Sequence, residues 1–159
     1  TTRLLVRKGA DIKEVEDLNG KAVALPINTT PERLIKALID AKKLKVRIVP
    51  VKDNSEGFLA LSTGRVDAFS TDDILLSGLR KSAPVPLDYE VVGRPLSFDP
   101  YGLMLQKNST VFLSLVNATI ARGVRSGELN AFYDKWFTQL DVPMSKDLTA
   151  ALKLAALPE

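Results

Sequence analysis

Three short polar segments contain the residues of this sequence that could bind a ligand, and each follows a predicted strand. Residues 26–30 read PINTT, residues 51–56 read VKDNSE and residues 70–73 read STDD. Their hydroxyl, amide and carboxylate groups bind polar and charged parts of small molecules through hydrogen bonds. Cysteine and histidine are absent from the sequence, which excludes thiolate and imidazole chemistry. We therefore predict a binding site that uses no metal and no cofactor.

The first segment has the pattern of a helix N-terminus. Pro31 is favoured at the first helical position and disfavours helical geometry for Thr30, which predicts Thr30 as the N-cap. Thr29 with Glu32 also has the spacing of a capping box. A structural cap would explain these residues, but free N–H groups and a hydroxyl at a helix N-terminus can also bind a carboxylate. The spacing leaves both interpretations open.

The other two segments have the same two interpretations. An aspartate between a strand and a helix is commonly an N-cap, and either Asp72 or Asp73 could have that role. A carboxylate at the end of a strand is also a suitable partner for an ammonium group. Asn54 fits an ordinary turn, and its amide can equally donate to and accept from a ligand.

Alternating strands and helices must position these segments. Strands are predicted at 21–25, 46–51, 66–70 and 89–93, and helices between them at 31–43, 54–63 and 72–81. The alternation predicts an α/β fold with a parallel sheet, in which the strand-to-helix loops meet at the carboxyl edge. Further strands are predicted at 2–7 and 101–106, and further helices at 110–126, 129–138 and 145–155.

Composition argues against a nucleic-acid-binding surface and against a membrane-spanning helix. The 22 basic and 19 acidic residues give a net charge of +3, and the basic residues are scattered, so no nucleic-acid surface is predicted. No apolar run approaches the roughly 20 residues of a membrane span. Because the sequence begins at Thr1 within a predicted strand, we expect a preceding N-terminal part.

Seven motifs in a fixed order show a resemblance to a known family. They are TRLLVRKG at 2–9, DLNGK at 17–21, NTT at 28–30, GRVDA at 64–68, TDD at 71–73, PYG at 100–102 and DKWF at 134–137. With these motifs the chain resembles the C-terminal half of the periplasmic amino-acid-binding proteins of ABC transporters, the bacterial extracellular solute-binding protein family 3. The similarity is greatest to the glutamate/aspartate-binding branch.

The resemblance implies a periplasmic binding protein-like type II fold, in which two α/β lobes are joined by hinge strands. Residues 1–9 then form the hinge strand that enters lobe 2, residues 10–95 form lobe 2, and residues 96–106 form the returning hinge strand. Residues 107–159 are helices of lobe 1, and the rest of lobe 1 is absent from this sequence. The implied hinge residues are Arg3, Tyr101 and Gly102.

The resemblance also implies a function: a non-enzymatic, periplasmic binding protein that holds a polar amino acid and delivers it to permease subunits. Thr30 is expected at the ligand carboxylate and Asp72 at its ammonium group. The branch tends to have histidine where this chain has Asn54, so the ligand side chain stays open between acidic and other polar groups. The expected ligand-binding residues are Pro26, Asn28, Thr29, Thr30, Asn54, Thr71 and Asp72.

Two departures and two alternatives accompany this expectation. Pro26 and Asn28 stand where the branch usually has small hydroxyl residues and glycine. An enzyme on the same fold, similar to cyclohexadienyl dehydratase, and a receptor sensor domain are the alternative functions. Without the rest of lobe 1, we expect the fragment to bind ligand poorly and to form a homodimer, by exchange of a hinge strand or the tail. The apolar face of the tail helices, whose aromatic residues Phe132, Tyr133, Trp136 and Phe137 are expected to pack against the missing lobe, would be exposed and would promote that association.

Overall fold

The predicted alternation of strands and helices is present in the computed structural model, which describes residues 1–155. The strands are β1 (Thr2–Arg7), β2 (Ala22–Pro26), β3 (Arg47–Val51), β4 (Ala68–Asp72) and β5 (Tyr89–Val92). The helices are α1 (Thr30–Ala41), α2 (Asn54–Ser62), α3 (Asp73–Ser82), α4 (Thr110–Ser126), α5 (Glu128–Trp136) and α6 (Lys146–Ala155). Each predicted helix is therefore confirmed to within a few residues. Positions 156–159, the last four of the predicted segment 107–159, lie outside the described residues.

The five strands form one sheet in the order β3-β2-β4-β1-β5. β2 pairs in parallel with β3 and β4, and β1 is antiparallel to both β4 and β5. β5 therefore runs in the same direction as β4. This confirms the predicted parallel set of four strands and adds β1, which lies within the sheet between two of them.

Alternate residues of the strands supply two hydrophobic cores, because successive side chains point to opposite faces of the sheet. One face packs against α1, through buried residues that include Leu4, Val6, Val23, Leu25, Ile35 and Ile39. The opposite face packs against α2 and α3, through residues that include Leu5, Ala24, Leu61, Phe69 and Leu76. Every helix between β2 and β5 is thus held to the sheet by its apolar side.

The chain divides into two compact units, Thr1–Phe98 and Asp99–Glu159. The strand expected at 101–106 is not formed, and residues 94–106 contain no helix or strand. The sheet formed by the described residues contains β1 to β5 and no strand from residues 101–106. The roles of 1–9 and 96–106 as hinge strands stay predictions.

The second unit consists of α4, α5 and α6. Gly127, with φ of 81°, joins α4 to α5 in a left-handed conformation that favours glycine. The Tyr133 hydroxyl donates to the Val142 carbonyl at 3.2 Å. Large apolar side chains of this unit are exposed, among them Val111, Phe112, Leu113, Leu115, Phe132, Trp136 and Leu154. None of the helices in residues 1–155 combines the length and hydrophobicity of a membrane span.

Candidate functional site

The loop between β2 and α1 is capped by Thr29, so the prediction of Thr30 as the N-cap is wrong. Thr29 is extended, with φ of −106° and ψ of 161°, and its Oγ1 accepts the Glu32 N–H at 3.2 Å. Helix α1 begins at Thr30, and Pro31 is its second residue. Proline is tolerated there because the N–H groups of the first turn have no partner inside the helix.

As the first residue of α1 rather than its cap, Thr30 has both its hydroxyl and its N–H available to a ligand. The Thr30 hydroxyl is exposed and only accepts a long 3.5 Å contact from Arg33. Pro31 has no N–H, the Glu32 N–H is bound to the cap, and the Arg33 N–H donates to the Thr29 carbonyl at 3.3 Å. The Thr30 N–H makes no hydrogen bond within residues 1–155. It is therefore the one donor of the first turn that is open to a ligand.

Asn28 and Glu32 determine the shape of the same loop. Asn28 has a positive φ of 61°, a conformation in which asparagine is more favourable than most residues. Its N–H donates to Glu32 Oε2 at 2.6 Å, and the Thr29 hydroxyl donates to the Pro26 carbonyl at 2.7 Å. Hydrogen bonds from Lys36 first, and then from the Asn28 N–H, lower the pKa of Glu32.

The loop between β3 and α2 repeats this arrangement. Asp53 is the N-cap and its Oδ1 accepts the Glu56 N–H at 2.9 Å, while Glu56 Oε2 accepts the Lys52 N–H at 2.8 Å. Asn54 is the first residue of α2 and is half-buried. Its N–H makes no hydrogen bond within the described part of the chain, so the first N–H of α2 is as open as that of α1.

The end of β4 brings together a hydroxyl and two carboxylates. Thr71 is only 4% exposed, yet its hydroxyl makes no hydrogen bond among residues 1–155. Asp72 stands at the N-cap position of α3 without a side-chain capping bond. The next residue, Asp73, accepts two hydrogen bonds: its Oδ1 accepts the Ile74 N–H at 2.8 Å and its Oδ2 accepts the Thr1 hydroxyl at 2.7 Å. These contacts give Asp73 a structural role at the start of α3.

The predicted ligand-binding residues lie at one edge of the sheet. β2, β3 and β4 run in parallel, so Pro26, Val51 and Asp72 end at the same side. Pro26 pairs with Val51 across β2 and β3. This edge therefore brings together the candidates Asn28, Thr29, Thr30, Asn54 and Thr71 on three neighbouring loops or strand ends.

Arg3 lies at this edge as well, which the sequence did not indicate. Antiparallel pairing places Thr2 opposite Asp72 and Arg3 opposite Thr71. Arg3 Nε donates to the Gly93 carbonyl at 2.8 Å, which connects the start of β1 to the end of β5. Its role in a hinge stays a prediction.

The other two hinge candidates belong to the second unit. Tyr101 and Gly102 are exposed, and neither is part of a strand. A Cβ built on Gly102 would meet no atom within 4 Å, so steric crowding does not require glycine there.

Two further residues were not identified from the sequence as parts of the site. Glu32 and Glu56 each occupy the third position of a helix that starts at this edge. The spacings Thr29-x-x-Glu32 and Asp53-x-x-Glu56 could have indicated them, because a glutamate at that position commonly bonds backbone N–H groups. Residues 1–155 contain no group of three or more acidic side chains arranged to hold a metal ion.

Comparison with known proteins identifies relatives of the chain. A family model described as NMT1/THI5 like matches residues 1–75. The L-glutamate/L-aspartate-binding protein of Pseudomonas aeruginosa is 44% identical over 165 residues, which cover 99% of this chain and 54% of that protein. The glutamate/aspartate import solute-binding protein of Salmonella typhimurium is 46% identical over 136 residues, 86% of this chain and 45% of the relative. The chain spans about half the length of these curated relatives.

Solved structures show the same fold. An ancestral arginine-binding protein bound to glutamine matches with a TM-score of 0.72 and 31% identity, over 86% of this chain and 59% of that one. An ancestral amino-acid-binding protein described as a precursor of cyclohexadienyl dehydratase matches with a TM-score of 0.69 and 31% identity, over 86% of this chain and 57% of the other.

Proposed function

Because the chain belongs to the amino-acid-binding solute-binding proteins of ABC transporters, we propose that it binds a polar amino acid at the carboxyl edge of its sheet. The relatives bear the names of glutamate- and aspartate-binding proteins, and we propose glutamate, aspartate or a similar polar amino acid as the ligand. Three groups of the first unit recognise it: the end of β4, the start of α1 and the start of α2.

The observation that carries the proposal is the pair of groups at the end of β4. Thr71 is a nearly buried residue whose hydroxyl has no hydrogen bond within residues 1–155, and the next residue, Asp72, supplies a carboxylate at the end of the same strand. An α-ammonium group would donate to both the hydroxyl and the carboxylate, and the charge of Asp72 would strengthen its bond.

The ligand α-carboxylate binds at the start of α1. The Thr30 N–H is the open donor of the first turn, and the positive end of the helix dipole favours an anion there. The exposed Thr30 hydroxyl supplies a second donor. Thr29 holds the loop in place, since its hydroxyl already bonds Pro26 and Glu32.

The ligand side chain contacts the loops that carry Pro26, Asn28 and Asn54. The Asn54 amide is able to donate to a carboxylate or to pair with another amide. Pro26 offers only its carbonyl as a hydrogen-bonding group, and that carbonyl accepts from Thr29. These contacts leave Asn54 as the residue that most directly selects between acidic and amide side chains.

The remaining functional assignments extend beyond this chain. We propose that the ligand is delivered to membrane permease subunits from a periplasmic location. A second lobe, from further sequence or from a second copy of the chain, completes the clamp. The exposed apolar residues of α4 and α5 support association, because apolar patches of this kind promote contact between proteins. Light scattering should detect a dimer, and a monomer at high concentration would contradict this part of the proposal.

We also propose that the chain is not an enzyme. The relatives and structures reported above bear the names of binding proteins, and one of these structures is described as a precursor of a dehydratase. A dehydratase reaction needs a positioned general acid. Product formation from a cyclohexadienyl substrate would favour the enzymatic alternative.

An NMR titration of the chain with glutamate, aspartate, glutamine and asparagine tests the proposed function. Ligand-induced shifts of the Thr30 and Thr71 amides are expected. Asp72→Asn removes the charged partner of the ammonium group and should weaken binding by about tenfold or more. Asp73→Asn is the matched control, because the Asp73 carboxylate bonds Ile74 and Thr1 and its loss should affect stability more than affinity. Equal affinity in wild type and Asp72→Asn would refute the assignment.

A further inference from the structure

The two loops at the candidate site are held by the same three-residue arrangement. In each, the N-cap side chain accepts the N–H of a glutamate at the third helical position. The carboxylate of that glutamate accepts the N–H of the residue before the cap, at 2.6 Å for Asn28 with Glu32 and 2.8 Å for Lys52 with Glu56. An ordinary capping box returns the carboxylate to the cap residue itself. The bond to the residue before the cap therefore restrains one more residue of the loop than an ordinary capping box does.

This arrangement determines which backbone donors stay open. The side chain of the cap accepts the N–H of the third helical residue, and the glutamate accepts the N–H of the residue before the cap. The first helical residues, Thr30 and Asn54, keep an N–H without a hydrogen bond within residues 1–155. Both open donors belong to residues of the proposed ligand-binding set.

Glu32 is well placed to keep its loop rigid. Its side chain is only 13% exposed, and Oε1 accepts from Lys36 at 2.7 Å while Oε2 holds Asn28. Asn28 has a positive φ, which is uncommon outside glycine, so its N–H bond to Glu32 stabilises an otherwise unfavourable backbone conformation. Glu56 performs the equivalent contact at Lys52.

We propose that Glu32 and Glu56 are positioning residues, each of which holds one of the two ligand-binding loops and its open N–H donor independently of the other. The proposal rests on the function proposed above for Thr30 and Asn54. The glutamates act through the loops: Glu32 through Asn28, and Glu56 through Lys52. Loss of Glu32 should therefore affect the ligand contact at Thr30 and leave that at Asn54 unchanged, and loss of Glu56 should do the opposite.

Amide hydrogen exchange of the 159-residue chain, measured by NMR, tests whether Glu32 and Glu56 protect the N–H groups of Asn28 and Lys52. Glu32→Leu should accelerate exchange at Asn28 about tenfold or more, as expected for the loss of a hydrogen bond to a charged group, and leave Lys52 unchanged. Glu56→Leu should have the reverse effect. Glu32→Gln keeps an acceptor and should restore part of the protection at Asn28, which a purely electrostatic role would not. Lys36→Met controls for the ion pair and should leave Asn28 protected.

A titration of the same variants with glutamate and glutamine tests the consequence for binding. Glu32→Leu should reduce the ligand-induced shift of the Thr30 amide and preserve that of Asn54, and Glu56→Leu should do the opposite. If wild type shows no ligand-induced shift, the proposed function fails, and the exchange data still decide whether the glutamates hold the loops. Unchanged exchange at Asn28 in Glu32→Leu, or equal loss at both loops in either variant, would overturn the inference.

Discussion

Gly57 lies where helix α2 crosses the ring of Phe69, and replacing it with alanine tests how tightly the site-bearing sheet is packed. A Cβ at Gly57 would lie 2.3, 2.6 and 2.8 Å from three carbon atoms of that ring. Carbon atoms in contact are normally about 3.5–4.0 Å apart. Phe69 is fully buried within the core that α2 and α3 cover, so the ring cannot move away into solvent.

The expected change in stability is the cost of overpacking the core minus the gain from placing alanine in a helix. Overpacking of a well-filled core costs about 1–3 kcal/mol, and three overlaps with a buried ring favour the upper end of that range. Alanine in place of glycine within a helix recovers about 1 kcal/mol. We expect the free energy of unfolding of the first unit to fall by about 2 kcal/mol, which corresponds to a decrease in Tm of about 10 °C for a unit of this size.

Urea unfolding followed through amide signals of β4 measures this change without interference from the second unit. Gly78→Ala is the matched control in α3, since a Cβ there would meet no atom within 4 Å. That control should be stabilised by up to about 1 kcal/mol. If Gly57→Ala is as stable as wild type, or more stable, the packing argument is wrong.

The same substitution should affect the candidate site. Phe69 and Thr71 are two residues apart in β4, so their side chains point to the same face of the sheet. Displacement of the Phe69 ring should therefore disturb the Thr71 hydroxyl. The amide shift of Thr71 should change in Gly57→Ala and stay the same in Gly78→Ala, and equal shifts in both variants would contradict this coupling.

Two further predictions concern a cap and an ion pair. In urea titrations, Thr29→Ala should lower the free energy of unfolding by about 1 kcal/mol, and Thr30→Ala should lower it by less than about 0.5 kcal/mol. A larger loss of stability in Thr30→Ala than in Thr29→Ala would refute the assignment of Thr29 as the cap. Hydrogen bonds from Lys42 first, and then from Arg94, lower the pKa of Glu16 to about 2 from an ordinary value of 4.5. Glu16 therefore stabilises the fold fully when the pH is above 4.5, and this stabilisation is lost as the pH falls towards 2. Because the Glu16 side chain is 38% exposed, solvent screening limits the stabilisation to about 1 kcal/mol. Glu16→Gln should make unfolding less dependent on pH across this window, and an unchanged dependence would show that the ion pair contributes nothing.

The sequence by itself determined the alternation of elements from β2 to β5. Amphipathic helices and short apolar strands are set by the spacing of nearby residues, as in the apolar face of α1 with Ile35 and Ile39. The common edge for Asn28, Asn54 and Asp72 followed from that alternation, because parallel strands with helical crossovers place their loops at one side.

Only the tertiary structure decided which strands are neighbours. β1 was readable as a strand, but its antiparallel position between β4 and β5 depends on hydrogen bonds between residues far apart in sequence. That position places Arg3 opposite Thr71, which no local pattern indicates. The segment 101–106 has the residues of a strand, yet the structure forms none there, because strand formation also depends on pairing with backbone that is distant in sequence.

The choice between Thr29 and Thr30 as the cap shows the same limit at a single position. Pro31 favoured Thr30 when only adjacent residues were considered. The folded loop adds the Asn28 N–H bond to Glu32 and the Thr29 hydroxyl bond to Pro26, and these contacts make Thr29 the cap. The sequence therefore determined that a helix begins at this edge. The three-dimensional contacts decided which threonine caps the helix and which keeps an N–H open to a ligand.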